Sequence, residues 1–71
     1  MQRRFEFVRG NSSKFYEVVV RECAVTTTFG RIGTSGQTQT KQFADQSAAQ
    51  KHADSVIGQK LAKGYTEQRA A

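Results

Sequence analysis

Apolar and polar residues alternate with a period of two over the first two thirds of the chain. Phe5 and Phe7 are separated by a charged residue, and Gly10 is followed by three polar residues that favour a turn. The next segment is rich in β-branched and aromatic residues on both faces, which is typical of a central strand. The pattern predicts an antiparallel sheet of about four strands, with candidates at residues 3–9, 14–23, 24–32 and 37–43.

The last third of the chain changes to the period of a helix. One apolar stripe predicts an α-helix over residues 46–63, and its members are Ala49, Ala53, Val56, Ile57 and Leu61. Asp45 or Ser47 can cap its N-terminus, and Gly64 suits the left-handed residue that ends a helix. The predicted fold is therefore α+β, with the helix laid across one face of a small sheet. The other face and the loops are then the candidates for function.

Two residues of this segment carry more specific expectations. Gly58 is unfavourable inside a helix, which predicts a close approach of the helix to the sheet at that position. Tyr65 follows the helix and is expected to fold back onto Leu61.

Length and hydropathy limit the class of protein. The chain has 71 residues, which corresponds to a single domain spanning residues 1–71 with a core over about 3–67. A domain of this size buries only about 60% of the surface of its unfolded chain, so a large enclosed active site is not expected. The sequence has no apolar run that predicts a membrane-spanning helix and no secretory signal pattern. The predicted compartment is the cytoplasm, and the single cysteine, Cys23, agrees with it.

The charge balance favours an anionic partner. Eleven lysine and arginine residues outnumber six acidic residues, which gives a formal net charge of +5. A small domain with this excess attracts polyanions such as nucleic acids. The alternative is that positive charge only maintains solubility.

Catalytic and metal-binding patterns are weak in this sequence. The glycine-rich segment at residues 30–36 lacks the lysine of a P-loop, and a strand rather than a helix is predicted to follow it. One cysteine and one histidine fall short of a zinc site, and Cys23 with His52 is a poor candidate for a nucleophile–base pair. Glu6 and Glu17 are expected to pair with neighbouring arginines, and His52 is expected at the surface or boundary. The sequence predicts no catalytic residue, no metal site and no cofactor.

The same glycine-rich segment is better supplied as a binding element. Gly30, Gly33 and Gly36 carry no side chains, so a partner can approach the backbone and its N–H donors closely. Arg31 adds a planar charged group that can contact a phosphate through two donors.

An aromatic and two lysines extend this candidate site. Phe29 lies two residues before Arg31, so on a strand both side chains point to the same side. A ring beside a guanidinium suits a nucleotide, and Lys14 and Lys41 near the strand ends can enlarge the positive surface. The alternative is that Phe29 belongs to the core and that Gly30 marks a β-bulge or, with the other glycines, a turn.

Three segments together resemble the WGR domain, which is named for a Trp-Gly-Arg triplet. KFYEV at residues 14–18 is similar to the family's second-strand motif, and FGRIGTSGQTQTKQF at residues 29–43 is similar to its signature. AAQKHADSVIGQKLAKGY at residues 48–65 resembles the family's helix and its Lys-Gly-Tyr ending. The resemblance covers about residues 3–67 and implies a small antiparallel sheet with one helix.

The resemblance also implies functional roles. In poly(ADP-ribose) polymerases this domain contacts DNA near a strand break and passes the signal to a catalytic domain; similar bacterial proteins carry it alone or beside other modules, including relatives of molybdate regulators. The triplet's Trp packs on the terminal sugar and its Arg engages the DNA backbone, which places these roles on Phe29 and Arg31, with Gly30 between them. Phe29 retains a flat apolar surface but lacks the indole N–H donor. The chain carries no catalytic domain of this kind and is not expected to be an enzyme.

Two functions from different classes follow. The first is a nucleic-acid-binding module that contacts the phosphate backbone of duplex or nicked DNA through Phe29, Gly30, Arg31, Gly33, Gly36, Lys41 and Lys14. The second is a protein-interaction adaptor that uses the same loop or an open sheet edge. A third possibility, an accessory role in stress or toxin–antitoxin systems, has no support in particular residues.

Overall fold

Alternating and β-branched segments pair into an antiparallel sheet that carries a helix on one face. The computed structural model describes residues 1–68. The elements in chain order are β1 (Gln2–Arg9), β2 (Ser12–Arg21), β3 (Ala24–Arg31), β4 (Gln37–Gln42), α1 (Gln46–Lys63) and β5 (Thr66–Gln68). The strand order across the sheet is β4-β3-β2-β1-β5. The predicted α+β fold is confirmed, and β2 is the central strand as expected.

The sheet has five strands rather than the predicted four. The additional strand, β5, consists of three polar residues and pairs antiparallel with β1. Arg3 on β1 donates two hydrogen bonds of 2.7 Å to the carboxylate of Glu67 on β5. Three polar residues carry no apolar alternation, so the sequence pattern alone does not indicate this strand.

The hydrophobic core lies between the helix and the three middle strands. Its buried members come from both the sheet and the helix: Phe5, Val18, Val20, Val25, Ala49, Ala53 and Ile57. The alanines allow the helix backbone to lie close to the sheet, and Tyr16, Phe43 and Tyr65 pack around the edge of this cluster. Among residues 1–68, no helix is long and apolar enough to cross a lipid bilayer.

The helix begins and ends at the predicted residues. Asp45 is the N-cap, and its side chain accepts a hydrogen bond of 2.8 Å from the Ala48 N–H. Gly64 is left-handed with φ of 107°, and its N–H donates to the Leu61 carbonyl at 3.1 Å. These two caps fix where the chain leaves the helix and turns back towards the sheet.

The predicted apolar stripe is wrong at its C-terminal end. Ala49, Ala53 and Ile57 are buried, but Leu61 is 47% exposed. Leu61 is therefore not part of the buried core formed by the other members of the stripe. Tyr65, which was expected to fold back onto Leu61, packs its ring against Phe7, with centroids 5.4 Å apart.

Gly58 does not mark a close approach of helix and sheet, and that expectation is wrong. The residue is exposed, and a Cβ built on it meets no atom within 4 Å. It follows the buried Ile57 by about 100° around the helix, so its side chain position points away from the core.

Gly58→Ala is therefore expected to stabilise the domain by up to about 1 kcal/mol, because Ala restricts the unfolded chain and adds no clash. Urea unfolding followed by circular dichroism measures the change. Ala62→Gly, at another exposed position of the helix, should lower stability by a similar amount. A loss of stability in Gly58→Ala would contradict this account of the position.

Candidate functional site

One end of the sheet extends beyond the helix and forms an open cavity on the helix side. Strand register places Phe7, Lys14 and Arg31 in one row across β1, β2 and β3. The next row contains Tyr16 and Phe29, which are direct cross-strand partners. Residues directly opposite on neighbouring strands point to the same face, with Cβ atoms about 5 Å apart. The cavity has a volume of about 600 Å³, and we call it the aromatic–basic cavity; its main side chains are Lys14, Tyr16, Phe29, Arg31, Lys60 and Tyr65.

Two aromatic rings form its floor. Tyr16 and Phe29 stack with their centroids 6.0 Å apart and their planes inclined by 22°. Both residues are half-buried, so neither is sealed in the core. Burial raises the pKa of Tyr16, and a hydrogen bond with the side chain of Thr27 opposes that rise. The phenol therefore stays neutral at physiological pH.

The last turn of the helix adds a lysine above this floor. The Lys60 Nζ lies 4.5 Å from the centroid of Tyr16 and 5.4 Å from that of Tyr65. These distances are in the range of cation–π contacts. Partial burial, followed by the charges of Lys63 and Lys14, lowers the pKa of Lys60. An anion bound beside Lys60 would therefore stabilise its charged ammonium group.

The positive surface continues past Lys60 into a neighbouring depression. This second cavity has a volume of about 350 Å³ and shares Lys14, Lys60 and Tyr65 with the first. Lys63 and Phe7 complete its lining, and the Lys14 Nζ lies 6.0 Å from the Phe7 ring centroid. The two cavities together form a continuous basic surface beyond the helix C-terminus.

No carboxylate neutralises this surface within residues 1–68. The cavity linings contain no acidic residue, and Arg31, Lys14, Lys60 and Lys63 have no salt bridge there. Glu6 and Glu17 lie on the opposite, helix-free face, where Arg4 pairs with both as the sequence predicted. The ion pairs of Arg4 thus lie on the helix-free face, and the Arg3–Glu67 pair on the helix side lies outside both cavity linings, whereas the cations that line the two cavities have no salt bridge within residues 1–68.

The glycine-rich loop folds over that opposite face. Phe15 is 4% exposed although it points away from the helix, and the loop covers it. A Cβ on Gly36 would lie 2.8 Å from Phe15 Cζ and 2.6 Å from the Phe29 carbonyl oxygen. A Cβ on Gly30 would lie 2.9 Å from the Gly36 Cα. These two glycines are therefore explained by close packing inside the loop.

Short hydrogen bonds hold the loop directly after Arg31. The Thr34 N–H and hydroxyl both donate to the Arg31 carbonyl, at 3.1 and 2.7 Å. The Ile32 N–H donates to the Ser13 carbonyl at 3.1 Å. The backbone on each side of Arg31 is thereby fixed, while its guanidinium remains exposed.

The structure brings some of the predicted site residues together and separates others. Lys14, Phe29, Gly30 and Arg31 all line the aromatic–basic cavity. Phe29 and Arg31 lie at the end of β3 beside the loop, on the helix side of the sheet; the candidates from the sequence were the helix-free face and the loops.

The other three predicted residues lie outside that cavity. Gly33 is exposed in the loop, with φ of 95° and open space around it, and Gly36 packs against Phe15. Lys41 lies on edge strand β4 and lines a separate cavity of about 150 Å³ beside His52. His52 is half-buried against Phe43, with centroids 5.0 Å apart, which agrees with the predicted boundary position.

Among the main side chains of the cavity, three were not identified as site residues from the sequence: Tyr16, Lys60 and Tyr65. Tyr16 was placed correctly on a strand face with Val18, but its neighbours depend on the β2–β3 register. Lys60 and Tyr65 reach the site only because the helix ends at Gly64 over β2. The lysine-rich last turn followed by Gly-Tyr was the available signal, since it places two cations and a ring together.

Comparison with known proteins identifies the family. The profile of the WGR domain matches residues 1–71. The chain belongs to the WGR family. WGR domains are in general a nucleic-acid-binding module, and they are small binding domains rather than catalytic ones.

Similar proteins contain this domain within longer chains. Two Escherichia coli K12 proteins, YehF and YfeS, are 38% and 31% identical over 93% and 94% of this chain. The chain spans only 24% and 28% of their lengths. A crystal structure of a Bacteroides fragilis protein superposes with a TM-score of 0.94 and 40% identity, covering 97% of this chain and 20% of that one.

Proposed function

We propose that this chain is a nucleic-acid-binding module that contacts the phosphate backbone of DNA through the aromatic–basic cavity. The observation that carries the proposal is a cluster of unpaired positive charge: three cations line the cavity, a fourth lines the neighbouring depression, and none of the four has a salt bridge within residues 1–68. Unpaired lysine and arginine side chains at one surface attract polyanions and release counterions on binding. Membership of the WGR family supports the same class of ligand.

Each side chain has a separate role in this proposal. Arg31 is exposed and held by a fixed backbone, so its guanidinium contacts a phosphate through two donors. Lys14 is its direct cross-strand partner and contacts the same or the adjacent phosphate. Phe29 presents an apolar ring edge that packs on a sugar. Gly30, Gly33 and Gly36 support this surface by shaping the loop, and Lys41 extends it only at a distance.

The test compares two arginine variants that remove the same charge. Arg31→Gln alters the cavity, whereas Arg21→Gln alters an exposed position seven residues from Lys14 on β2. That separation is about 23 Å along the strand. Binding to labelled intact and nicked duplexes is measured by fluorescence anisotropy over a range of salt. With about four phosphates neutralised, the slope of log K against log salt is expected near −3.6.

Arg31→Gln is expected to weaken binding and to reduce the magnitude of this slope by about 0.9, whereas Arg21→Gln should leave the slope unchanged. Nicked duplexes with and without a 5′-phosphate then show whether a break end is preferred. Equal effects of the two variants would assign the binding to overall charge and would remove the cavity from the proposal.

Protein interaction is a second candidate because one edge of the sheet is open. Every side chain of β4 is exposed, and β4 has a pairing partner on one side only within residues 1–68. Thr26 with Thr40, and Thr28 with Thr38, hydrogen bond across β3 and β4 at 3.0 and 3.1 Å, which keeps this edge ordered. An added strand from a partner would use the free backbone groups. Binding of a protein that persists after nuclease treatment, with no affinity for duplexes, would favour this function.

A further inference from the structure

We propose that the aromatic–basic cavity binds a single unpaired nucleoside phosphate, with the base against Tyr16, Phe29 and Tyr65 and the phosphate on Lys60, Lys14 and Arg31. The ligand class includes a free nucleotide and the unpaired nucleotide of an overhanging strand. This site would have a selectivity that backbone contact with a duplex does not provide.

The aromatic side of the cavity supports a base. The stacked pair of Tyr16 and Phe29 is half-buried and accessible from the cavity, and Tyr65 forms an adjacent wall. A base packed on an aromatic side chain needs its own face exposed. A paired base inside a duplex has both faces covered by its neighbours and offers only an edge, so an unpaired base fits this surface better.

The cationic side supports a phosphate at the correct distance from the rings. Lys60 lies over Tyr16 with its Nζ 4.5 Å from the ring centroid, and Lys14 and Arg31 are cross-strand partners on the next row. A ligand that touches the rings therefore meets an ammonium group and a guanidinium at once. Burial, followed by the charges of Lys63 and Lys14, lowers the pKa of Lys60, and an anion bound between these lysines would offset their mutual repulsion.

The size of the cavity agrees with one nucleotide. Its volume of about 600 Å³ lies within the range of about 300–1,000 Å³ that is typical of small-ligand sites. The neighbouring depression around Lys63 gives room for further phosphates or for the next nucleotide of a strand.

This inference does not depend on the proposed duplex contact. If the protein binds duplexes but no nucleotide, the proposed function stands and the nucleotide site is refuted. If it binds nucleotides but no duplex, the nucleotide site stands and the proposed duplex contact is refuted.

The test is an NMR titration of the ¹⁵N-labelled chain with four probes: adenosine 5′-monophosphate, adenosine 5′-triphosphate, adenosine and inorganic triphosphate. We expect saturable shifts at Phe29, Arg31 and Lys60, with the triphosphate nucleotide binding more tightly than either adenosine or inorganic triphosphate. Fluorescence anisotropy tests whether the ligand is the end of a strand. It compares a labelled duplex that has a two-nucleotide overhang with the same duplex without the overhang. Free nucleotide should compete with the overhang.

Two variants locate the site. Lys60→Gln is expected to weaken the nucleotide by about fivefold, the upper effect of a mostly exposed charge pair. Lys51→Gln removes the same charge from an exposed position of the same helix outside the cavity and should leave affinity unchanged. Arg31→Gln, whose side chain is fully outside the core, provides a second cavity variant if Lys60→Gln alters folding.

Three results would overturn the proposal. Equal affinity for adenosine triphosphate and inorganic triphosphate would show charge attraction without a base site. Equal effects of Lys60→Gln and Lys51→Gln would place binding elsewhere. Saturable shifts at Phe29, Arg31 and Lys60 on adding an acidic peptide, with no shift on adding any nucleotide, would show that the cavity binds a protein segment.

Discussion

Gly36→Ala is expected to lower the free energy of unfolding by about 2–4 kcal/mol, because it combines backbone strain with overpacking. The residue has φ of 75°, and its new methyl group would lie 2.6 Å from the Phe29 carbonyl oxygen and 2.8 Å from Phe15 Cζ. Neither neighbour can yield easily, since Phe15 is buried and the Phe29 carbonyl belongs to β3. Urea unfolding followed by far-ultraviolet circular dichroism measures the loss.

Gly33→Ala is the matched control for this prediction. It lies in the same loop with φ of 95°, but a Cβ there meets no atom within 4 Å. Its cost should be limited to backbone strain of about 1–2 kcal/mol. Equal losses in the two variants would contradict the close packing of Gly36 on Phe15. The Gly36 variant should also weaken ligand binding in folded protein, because the clash displaces the strand end that positions Arg31.

The largest loss of stability is expected from Phe5→Ala. Phe5 is fully buried at the centre of the core, where it is the cross-strand partner of Tyr16. Truncating a buried phenylalanine costs about 3–5 kcal/mol through lost transfer energy and the cavity left behind. Because a domain of this size has a total stability of only about 5 kcal/mol, the variant should be largely unfolded near 37 °C.

Thermal and urea unfolding of the Phe5→Ala and Val8→Ala variants measure this effect on the same strand. Val8 is 71% exposed, so its truncation should change stability by less than about 0.5 kcal/mol. Phe5→Leu should recover a large part of the loss, because it refills most of the cavity. Similar stabilities for Phe5→Ala and Val8→Ala would show that Phe5 does not anchor the core.

Local sequence chemistry was sufficient to predict the helix and the order of elements. Asp45 and Gly64 fix the helix ends through contacts within four residues, so each can be identified without tertiary information. The position of β2 followed from apolar residues on both faces. The strand β5 could not be predicted in this way, because it forms by pairing with β1 and by the ion pair between Glu67 and Arg3, which lies 64 positions earlier in the chain.

The candidate site was predictable in part for the same reason. A period of two was enough to place Phe29 and Arg31 on one side of β3, but which face the helix covers depends on the whole core. Gly36 illustrates the limit: its positive φ agrees with the expected turn, whereas its contact with Phe15 requires the folded loop. Lys60 reaches Tyr16 only through the packing of α1 on β2 and β3.

The register of β1 determines how this domain can be joined to other polypeptide. Gln2 pairs with Val19, and Gln68 pairs with Arg4, whereas the cavity begins at the level of Phe7. Along β1, Gln2 and Arg4 lie about 17 and 10 Å from the level of Phe7. A polypeptide joined ahead of Gln2 would therefore start at the end of β1 that lies away from the cavity. Attachment of another module at that end of β1 is therefore compatible with ligand access to the cavity.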